Sequence, residues 1–511
     1  MNKISSNKTI LKNTLMLYIR QILSLGVSLY TVRVVLDVLG AEDYGIYSVI
    51  GGIVMFFSFL KGSMSSATQR FFSFAIGEND ELKLNQIFSV NLLIYFLIAV
   101  FSLILLEVIG FWFVKEYLKL PEIRIDAALN IYHFSVFTFF VTIFSTPFTS
   151  AIIAHEDMHI YAYLSIIDVL MKLGVVFLLV VLEGDKLILY SQLLFTVSVV
   201  LFVVYGWICT RRYQECQISK FYWNKKIFSE IIGFTGWTLF GQFTSAARNQ
   251  AVVVLVNQFY NPVVVASTVV ARNISTQIQM FSNNFNSSLY PPIIKSYASD
   301  NKVNMFALIH SGSKITFFLM WIFALPFLLE MDVILGLWLK TIPEGTILFT
   351  RLALIEVLVN SISLPIQTAA RAPGRMKVYE LVLGFIQILI FLASWLFFYL
   401  GYYAYIIFVV AIVANAIMFF VRLLIVKYLV DLSIQEFLSK VFYPVGLVVL
   451  VTTLVSCTYK YLICQTNDVP QSLLAILVYV ICILLSVYFI GLDKEWRVKL
   501  KNMIVQKIKF N

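Results

Sequence analysis

The chain has 511 residues, of which 60% are hydrophobic and only 13% are charged, against roughly 25% charged residues in soluble proteins. No soluble globule of this length can enclose so much apolar surface, so the composition excludes a water-soluble fold and places most of the chain in lipid. The net charge is +10, but the basic residues lie mainly at the ends of apolar runs. That pattern is typical of membrane orientation and argues against nucleic-acid binding.

Fourteen apolar runs, each long enough for a transmembrane helix of about 20 residues, follow one another along the chain. We predict helices throughout, because an open sheet edge is not tolerated in hydrocarbon and no run alternates as a barrel strand does. The first six runs cover residues 10–39, 44–76, 87–113, 127–153, 158–182 and 186–209. The others cover residues 231–260, 262–290, 305–329, 345–370, 376–400, 402–427, 437–462 and 471–491.

The loops between these runs predict the orientation of the chain. The first run is too long for a cleaved signal peptide, so we predict a retained first span. With the N-terminus inside, roughly 22 basic residues fall on the cytoplasmic side and about 6 on the other side. We therefore predict a multi-pass membrane protein with both termini in the cytoplasm, and we call that side the predicted cytoplasmic end.

The longest polar break predicts the domain organisation. Residues 1–210 form an N-terminal six-helix lobe, residues 211–230 a cytoplasmic linker, and residues 231–430 a C-terminal six-helix lobe. Residues 431–492 add two transmembrane helices. The basic tail at 493–511 is amphipathic and is predicted to lie on the anionic inner leaflet, with a solvated tail as the alternative.

A weak internal repeat accompanies the break. A shift of about 220 residues aligns Leu39–Ala41 with Tyr260–Pro262, and Arg70–Asp80 with Tyr290–Asp300. A six-helix repeat keeps its orientation in the membrane, so the two lobes are predicted to be a pseudo-twofold parallel repeat about an axis along the membrane normal.

Arginines inside the predicted spans are the sharpest local signal. An ionisable group costs about 2.5–3.5 kcal/mol at mid-bilayer, so it normally faces a cavity or a partner. The planar guanidinium suits phosphate oxygens. We therefore predict a positively charged substrate cavity lined by Arg20, Arg33, Arg70, Arg248 and Arg272. The alternative, above all for Arg33 and Arg70 near helix ends, is snorkelling to an interface or pairing with carbonyl groups.

Two further pairs of opposite charge lie inside spans. Asp168 and Lys172 are four residues apart on one helix face, which predicts either an ion pair within the helix or a coupling group for protons or ions. Arg351 and Glu356 raise the same question, although a spacing of five does not bring them squarely face to face. Glu356 is a candidate protonatable group.

One motif points to an enzyme and is rejected. His155–His159 reads HEDMH, which matches the HExxH zinc-protease pattern. The motif falls at a predicted turn between two spans, and no third ligand is evident. The five cysteines form no CxxC pair, and no nucleotide-binding loop is present. We predict no metal, no cofactor and no catalytic residue.

Three segments resemble the polysaccharide flippases of the multidrug/oligosaccharidyl-lipid/polysaccharide exporter superfamily. The first, Asn13–Gly52, contains a Leu-Gly-x-x-x-Tyr-Gly-Ile-Tyr turn from Leu39 to Tyr47. The others are the Gln-Arg-Phe-Phe stretch at Gln69–Phe72 and the connection Thr146–Val181.

The resemblance implies two lobes around a central cavity and transport by alternating access. The implied cargo is an undecaprenyl-pyrophosphate-linked oligosaccharide for surface polysaccharide or lipopolysaccharide (O-antigen) biosynthesis, with Arg20, Arg248 and Arg272 on the pyrophosphate. The expected partners are this cargo, membrane lipids and polysaccharide assembly proteins.

Two alternatives stay open. A multidrug/cation antiporter of the same superfamily would carry an acidic residue deep in the first span, where this chain has only Asp37 near the outer end. A membrane-embedded polymerase or glycosyltransferase would carry a sizeable extracytoplasmic loop, and the largest here, about residues 114–126, is short.

Overall fold

The computed structural model describes residues 7–117, 122–217, 220–260, 262–339, 342–462, 468–492 and 497. Within them all regular secondary structure is helical, because a helix pairs every backbone group within its own segment. The first helices are α1 (Asn7–Phe56), α2 (Ser58–Glu78), α3 (Glu81–Leu105), α4 (Phe111–Tyr117), α5 (Ile125–Phe144), α6 (Thr146–Ala154), α7 (Met158–Val181) and α8 (Lys186–Arg212). The next are α9 (Lys225–Phe259), α10 (Pro262–Ala298), α11 (Lys302–Trp338), α12 (Thr346–Ser361), α13 (Leu364–Arg371), α14 (Lys377–Tyr399) and α15 (Ile406–Val430). The last are α16 (Ile434–Phe437), α17 (Tyr443–Leu462) and α18 (Val469–Ser486).

The predicted all-helical membrane fold is confirmed, whereas the count of fourteen spans is not. Of the described helices, eleven are long and apolar enough to cross a membrane, or twelve if the bent pair Asp43–Val54 and Ser58–Glu78 is one span. The predicted runs 231–260 and 262–290 do form the long helices α9 and α10. These two fall outside the apolar set because polar residues interrupt their hydrophobic stretches.

The described residues divide into two compact units. Unit 1 lies within Met1–Ala246, Ile294–Asn301 and Gly374–Leu381. Unit 2 lies within Ala247–Ile293, Lys302–Pro373 and Val382–Asn511. The domain boundaries expected at 210, 230 and 430 stay a prediction, and the tail at 493–511 lies outside the described residues apart from Arg497.

Unit 1 is a helical bundle in which α1 packs against α5 and α7, α2 against α3 and α6, and α5 against α8. Gly40, at a positive φ of 75°, breaks α1 into two segments, a conformation that glycine adopts without a steric penalty. Asp80 and Asp185 immediately precede α3 and α8 and cap them, because the Asp80 carboxylate accepts from Lys83 N and the Asp185 carboxylate accepts from Leu187 N and Ile188 N.

In unit 2, α11 packs against α12, α13 and α18. Pro326 lies inside α11, which departs from helical geometry at Glu330. The buried Glu330 carboxylate accepts hydrogen bonds from Ser472 Oγ and Tyr479 OH, each at 3.0 Å, and Lys460 Nζ lies 3.3 Å from it. These three partners belong to α17 and α18, so Glu330 fastens the last two long helices to α11.

Backbone features recur at the shift of about 220 residues expected for the repeat. The helices α2 and α10 are followed by Asn79 (φ 56°) and Asp300 (φ 54°), both left-handed. The turns before α7 and α14 contain Glu156 (φ 66°) and Gly374 (φ 80°). Both the α5–α6 and the α12–α13 spans are interrupted at a serine and resume with a proline.

Candidate anion-binding site

Helix geometry brings four polar residues of unit 2 to the same depth. Arg272, Glu356 and Asn415 each lie nine or ten residues after the first residue of α10, α12 and α15, which is about 15 Å at 1.5 Å per residue. Arg248 lies a similar distance before the end of α9. The apolar core of a membrane is about 30 Å thick, so a distance of about 15 Å from the helix ends corresponds to the middle of that core. We call these four residues the Glu356 cluster.

The Glu356 carboxylate joins two arginines. Arg272 Nη1 lies 2.5 Å from Glu356 Oε2, and Arg248 Nη1 lies 3.7 Å from Oε1. Asn415 Nδ2 donates to Oε1 at 3.4 Å. The Glu356 side chain is only 6% exposed, and Arg272 also lies over the Phe408 ring, 4.8 Å from its centroid. The carboxylate is therefore held by charge and by hydrogen bonds, as a buried charge requires.

The cluster retains unused capacity for an anion. Among the described residues it contains two guanidinium groups and one carboxylate, so it carries a net positive charge. Arg248 Nε is buried and has no hydrogen-bond partner there, while Nη2 of the same side chain donates to Asn249 Oδ1 at 2.8 Å. A guanidinium presents five donors in a rigid fork. The arrangement can bind an anion with several oxygens, such as a phosphate.

The other three predicted arginines belong to unit 1 and are not gathered into one site there. Arg20 and Arg33 lie on α1, about 20 Å apart along the helix. Arg20 lies over the Tyr161 ring at 5.1 Å, and Arg33 is exposed. The sequence predicts Arg70 near a helix end, but it is buried in the second half of α2, about two turns before its last residue, and its guanidinium lies 4.6 Å from the centroid of the Phe71 ring.

The two predicted pairs of opposite charge differ in the structure. Lys172 Nζ lies 2.9 Å from Asp168 Oδ2, so these residues form an ion pair within α7. Arg351 instead pairs with Asp332 at 3.3 Å on an exposed surface of unit 2, while Glu356 pairs with Arg248 and Arg272.

Sequence reasoning missed three polar side chains near these residues. Lys61 of α2 interacts electrostatically with the Asp168–Lys172 pair. Asn415 contacts Glu356, and Arg422 lies two turns further along α15. A cation inside an apolar run is a detectable signal, which Lys61 and Arg422 both carry. Asn415 carries no comparable signal, because a single amide is common in spans that merely pack together.

The HEDMH segment is a turn whose side chains form a histidine–carboxylate contact and an ion pair. The helix α6 ends at Ala154 and α7 begins at Met158, so the two histidines do not share one helical turn as zinc ligands of this motif do. His155 Nε2 lies 2.5 Å from Glu215 Oε1, and Lys295 Nζ lies 2.6 Å from Glu156 Oε1. Within the described ranges no three His, Cys, Asp or Glu side chains converge on a metal position.

The sequence of the chain matches a known protein family. A family model described as "Polysaccharide biosynthesis protein" matches residues 10–297, which is more than half of the chain. No protein among curated sequences matches.

Solved transporter structures resemble the chain in fold. A crystal structure of a MATE mutant superposes with a TM-score of 0.73 at 13% identity, covering 84% of this chain and 97% of the other. An outward-facing multidrug resistance MATE family transporter of the MOP superfamily gives 0.71 at 14% identity, covering 82% and 96%. A MOP superfamily transporter from Pyrococcus furiosus gives 0.65 at 12% identity, covering 82% and 96%. That transporter is described by a binding pocket of reverse polarity that suggests a different function.

Proposed function

Because the chain belongs to the polysaccharide biosynthesis protein family, we propose that it is a flippase for an undecaprenyl-pyrophosphate-linked oligosaccharide. It moves this cargo across the bacterial cytoplasmic membrane by alternating access, for surface polysaccharide or lipopolysaccharide assembly. The protein acts as a transporter and not as an enzyme. Its expected partners are the lipid-linked cargo, membrane lipids and polysaccharide assembly proteins, and the bias of basic residues supports cytoplasmic termini.

The Glu356 cluster is the observation that carries this proposal. A pyrophosphate carries several negatively charged oxygens, and a carrier must offset that charge inside a medium of low dielectric constant. Two guanidinium groups near the middle of the apolar core supply the matching charge and the matching donor geometry. The remaining predicted cavity arginines, Arg20, Arg33 and Arg70, belong to unit 1 and are also proposed to contact the cargo during transport.

Glu356 serves as the internal counter-ion of the empty carrier. Removing one partner from a buried ion pair costs about 3–5 kcal/mol, because the other charge is left uncompensated. An incoming pyrophosphate replaces the carboxylate on Arg248 and Arg272, so the arginines have an anionic partner both before and after binding. Protonation of Glu356 would release the same arginines, which makes it the candidate coupling group.

A multidrug or cation antiporter is the second candidate, and the fold similarity to MATE transporters supports it. Identities of 12–14% carry the fold and not the cargo. An organic cation requires a site of net negative charge, whereas the Glu356 cluster contains two arginines around one carboxylate in the described structure. The polarity of the cluster therefore favours an anionic cargo.

The test is surface polysaccharide display in cells whose only copy of this protein carries Arg248→Ala or Arg272→Ala. We expect both proteins to reach the membrane and display to fall at least about tenfold, since loss of a buried charge contact exceeds about 1.4 kcal/mol. Arg351→Ala is the matched control, because it removes an exposed ion pair from the same unit. Normal display in the Arg272→Ala strain would contradict the proposal.

A further inference from the structure

A further arginine of unit 2, the buried Arg422, lies on the same side of α15 as Asn415 of the Glu356 cluster. Arg422 is seven residues after Asn415, two helical turns and about 10 Å further along the axis. On the neighbouring helix α12, Asn360 follows Glu356 by four residues, about one turn, and so lies on the same face of that helix. The polar row therefore continues from the Glu356 cluster toward the predicted cytoplasmic end.

The contacts of Arg422 are with neutral groups. Its Nη1 donates to Asn360 Oδ1 at 3.2 Å. In the side-chain orientation of Gln367 that gives both its amide oxygen and its amide nitrogen hydrogen-bond partners, the oxygen accepts from Arg422 Nη1 at 3.1 Å and from Nη2 at 3.3 Å. The residue is only 7% exposed. Among the described residues Arg422 forms no ion pair, and its Nε has no hydrogen-bond partner.

A further unused polar group belongs to the same stretch of chain. Ser363 lies between Asn360 and Gln367, at the interruption that separates α12 from α13. Its Oγ is fully buried and has no partner in the described part of the chain. Interrupted spans with unsatisfied polar groups are where transporters of other folds bind their substrates.

A buried guanidinium held only by amides has its hydrogen bonds partly satisfied and its charge not compensated. In the Glu356 cluster, by contrast, a carboxylate supplies the counter-charge of the arginines. An anion with several oxygens would supply the missing charge at Arg422 and accept the free Nε–H and Ser363 O–H donors.

We infer that Arg422, with Asn360, Gln367 and Ser363, forms a second anion-binding position for a phosphate-class ligand, separate from the Glu356 cluster. This inference rests on the proposed function, because the pyrophosphate group of the cargo would move about 10 Å along unit 2, from one arginine position to the other. A lipid headgroup phosphate offers the same chemistry and is the alternative source of the anion.

The test measures how many inorganic pyrophosphate ions the purified full-length protein binds, using equilibrium dialysis in dodecyl maltoside, a detergent without phosphate. We expect Arg422→Gln to bind one pyrophosphate ion fewer than the unmodified chain, because the position at Arg422 is lost. The Arg248→Ala/Arg272→Ala double variant should also bind one ion fewer, because the position at the Glu356 cluster is lost. Unchanged binding by Arg422→Gln overturns this inference, whereas unchanged binding by the double variant overturns the anion site of the proposed function.

A second variant covers the case in which Arg422→Gln does not fold. Asn360→Asp places a carboxylate where the amide oxygen now lies 3.2 Å from Arg422, so it supplies an internal counter-ion. We expect a higher melting temperature, loss of one bound pyrophosphate and at least a tenfold fall in polysaccharide display. Unchanged pyrophosphate binding and display would show that Arg422 is only structural.

The source of the anion is then decided in phosphatidylglycerol nanodiscs. If the second position selects pyrophosphate, the count measured in detergent is retained in the lipid. If a headgroup phosphate occupies Arg422, the second pyrophosphate is displaced in the nanodiscs, while the one at the Glu356 cluster remains.

Discussion

Replacing Glu356 by Gln tests whether this carboxylate competes with the cargo for the two arginines. The substitution keeps the shape of the side chain and removes the charge that Arg272 contacts at 2.5 Å and Arg248 at 3.7 Å. At an effective dielectric constant of about 20, a charge pair at 4 Å contributes roughly 4 kcal/mol. The empty variant should therefore be destabilised, while an anion should bind without displacing a competitor.

The magnitudes follow from the exposure of the partners. We expect a loss of about 3 kcal/mol, at the low end of the range for broken buried pairs, because the Arg272 side chain keeps 27% of its exposure. We expect pyrophosphate to bind at least about tenfold more tightly, because it no longer has to displace the Glu356 carboxylate from the arginines, and a gain of only about 1.4 kcal/mol gives a tenfold change in affinity. Transport should nevertheless fall, because the released carrier lacks its counter-ion.

The assay is thermal unfolding of the purified protein across a pyrophosphate titration, since a ligand that binds the folded state raises the melting temperature with its concentration. Asp332→Asn is the control, because it removes a carboxylate from the exposed ion pair with Arg351. It should change neither the stability of the empty protein nor its affinity for pyrophosphate. A Glu356→Gln protein whose pyrophosphate affinity equals that of the unmodified chain would refute the counter-ion role.

Two further predictions concern unit 1. Glu156→Gln removes the carboxylate that lies 2.6 Å from Nζ of the half-buried Lys295, so the free energy of unfolding should fall by about 3 kcal/mol and the melting temperature should fall with it. The exchanged pair Glu156→Lys/Lys295→Glu should recover most of this stability. A failed recovery would contradict an ionic role for the pair. Burial raises the pKa of Asp157, but hydrogen bonds from Arg212 and Tyr213 outweigh burial and hold the pKa below its usual value. The folded protein therefore gains stability from ionised Asp157 above about pH 4 and loses it as the pH falls through the lowered pKa. Asp157→Asn should be less stable at pH 7, with a deficit that shrinks on acidification below about pH 4; a constant deficit in melting temperature down to acidic pH would contradict this.

Composition and periodicity determined the class of protein. The apolar content requires lipid, and lipid requires helices, so the all-helical membrane fold follows without any knowledge of tertiary contacts. The resemblance carried by Leu39–Tyr47 and Gln69–Phe72 is confirmed by the family match. The span count stayed unconfirmed, because the polar stretches of α9 and α10 that mark a candidate site also make these helices poor spans by composition.

Tertiary structure alone decided which charges on different helices meet. The sequence offered Arg351 and Glu356 as neighbours on one helix, yet the packing of α10 and α15 against α12 brings Arg272 and Asn415 to Glu356. Helical periodicity relates residues within one helix, whereas the partners across helices depend on how each helix is rotated and on which helices are neighbours. The position of Arg422 was visible as a cation in an apolar run, but its neutral amide contacts were not. Those contacts, made by two helical segments that pack on α15, are what distinguish an uncompensated charge from an ordinary ion pair.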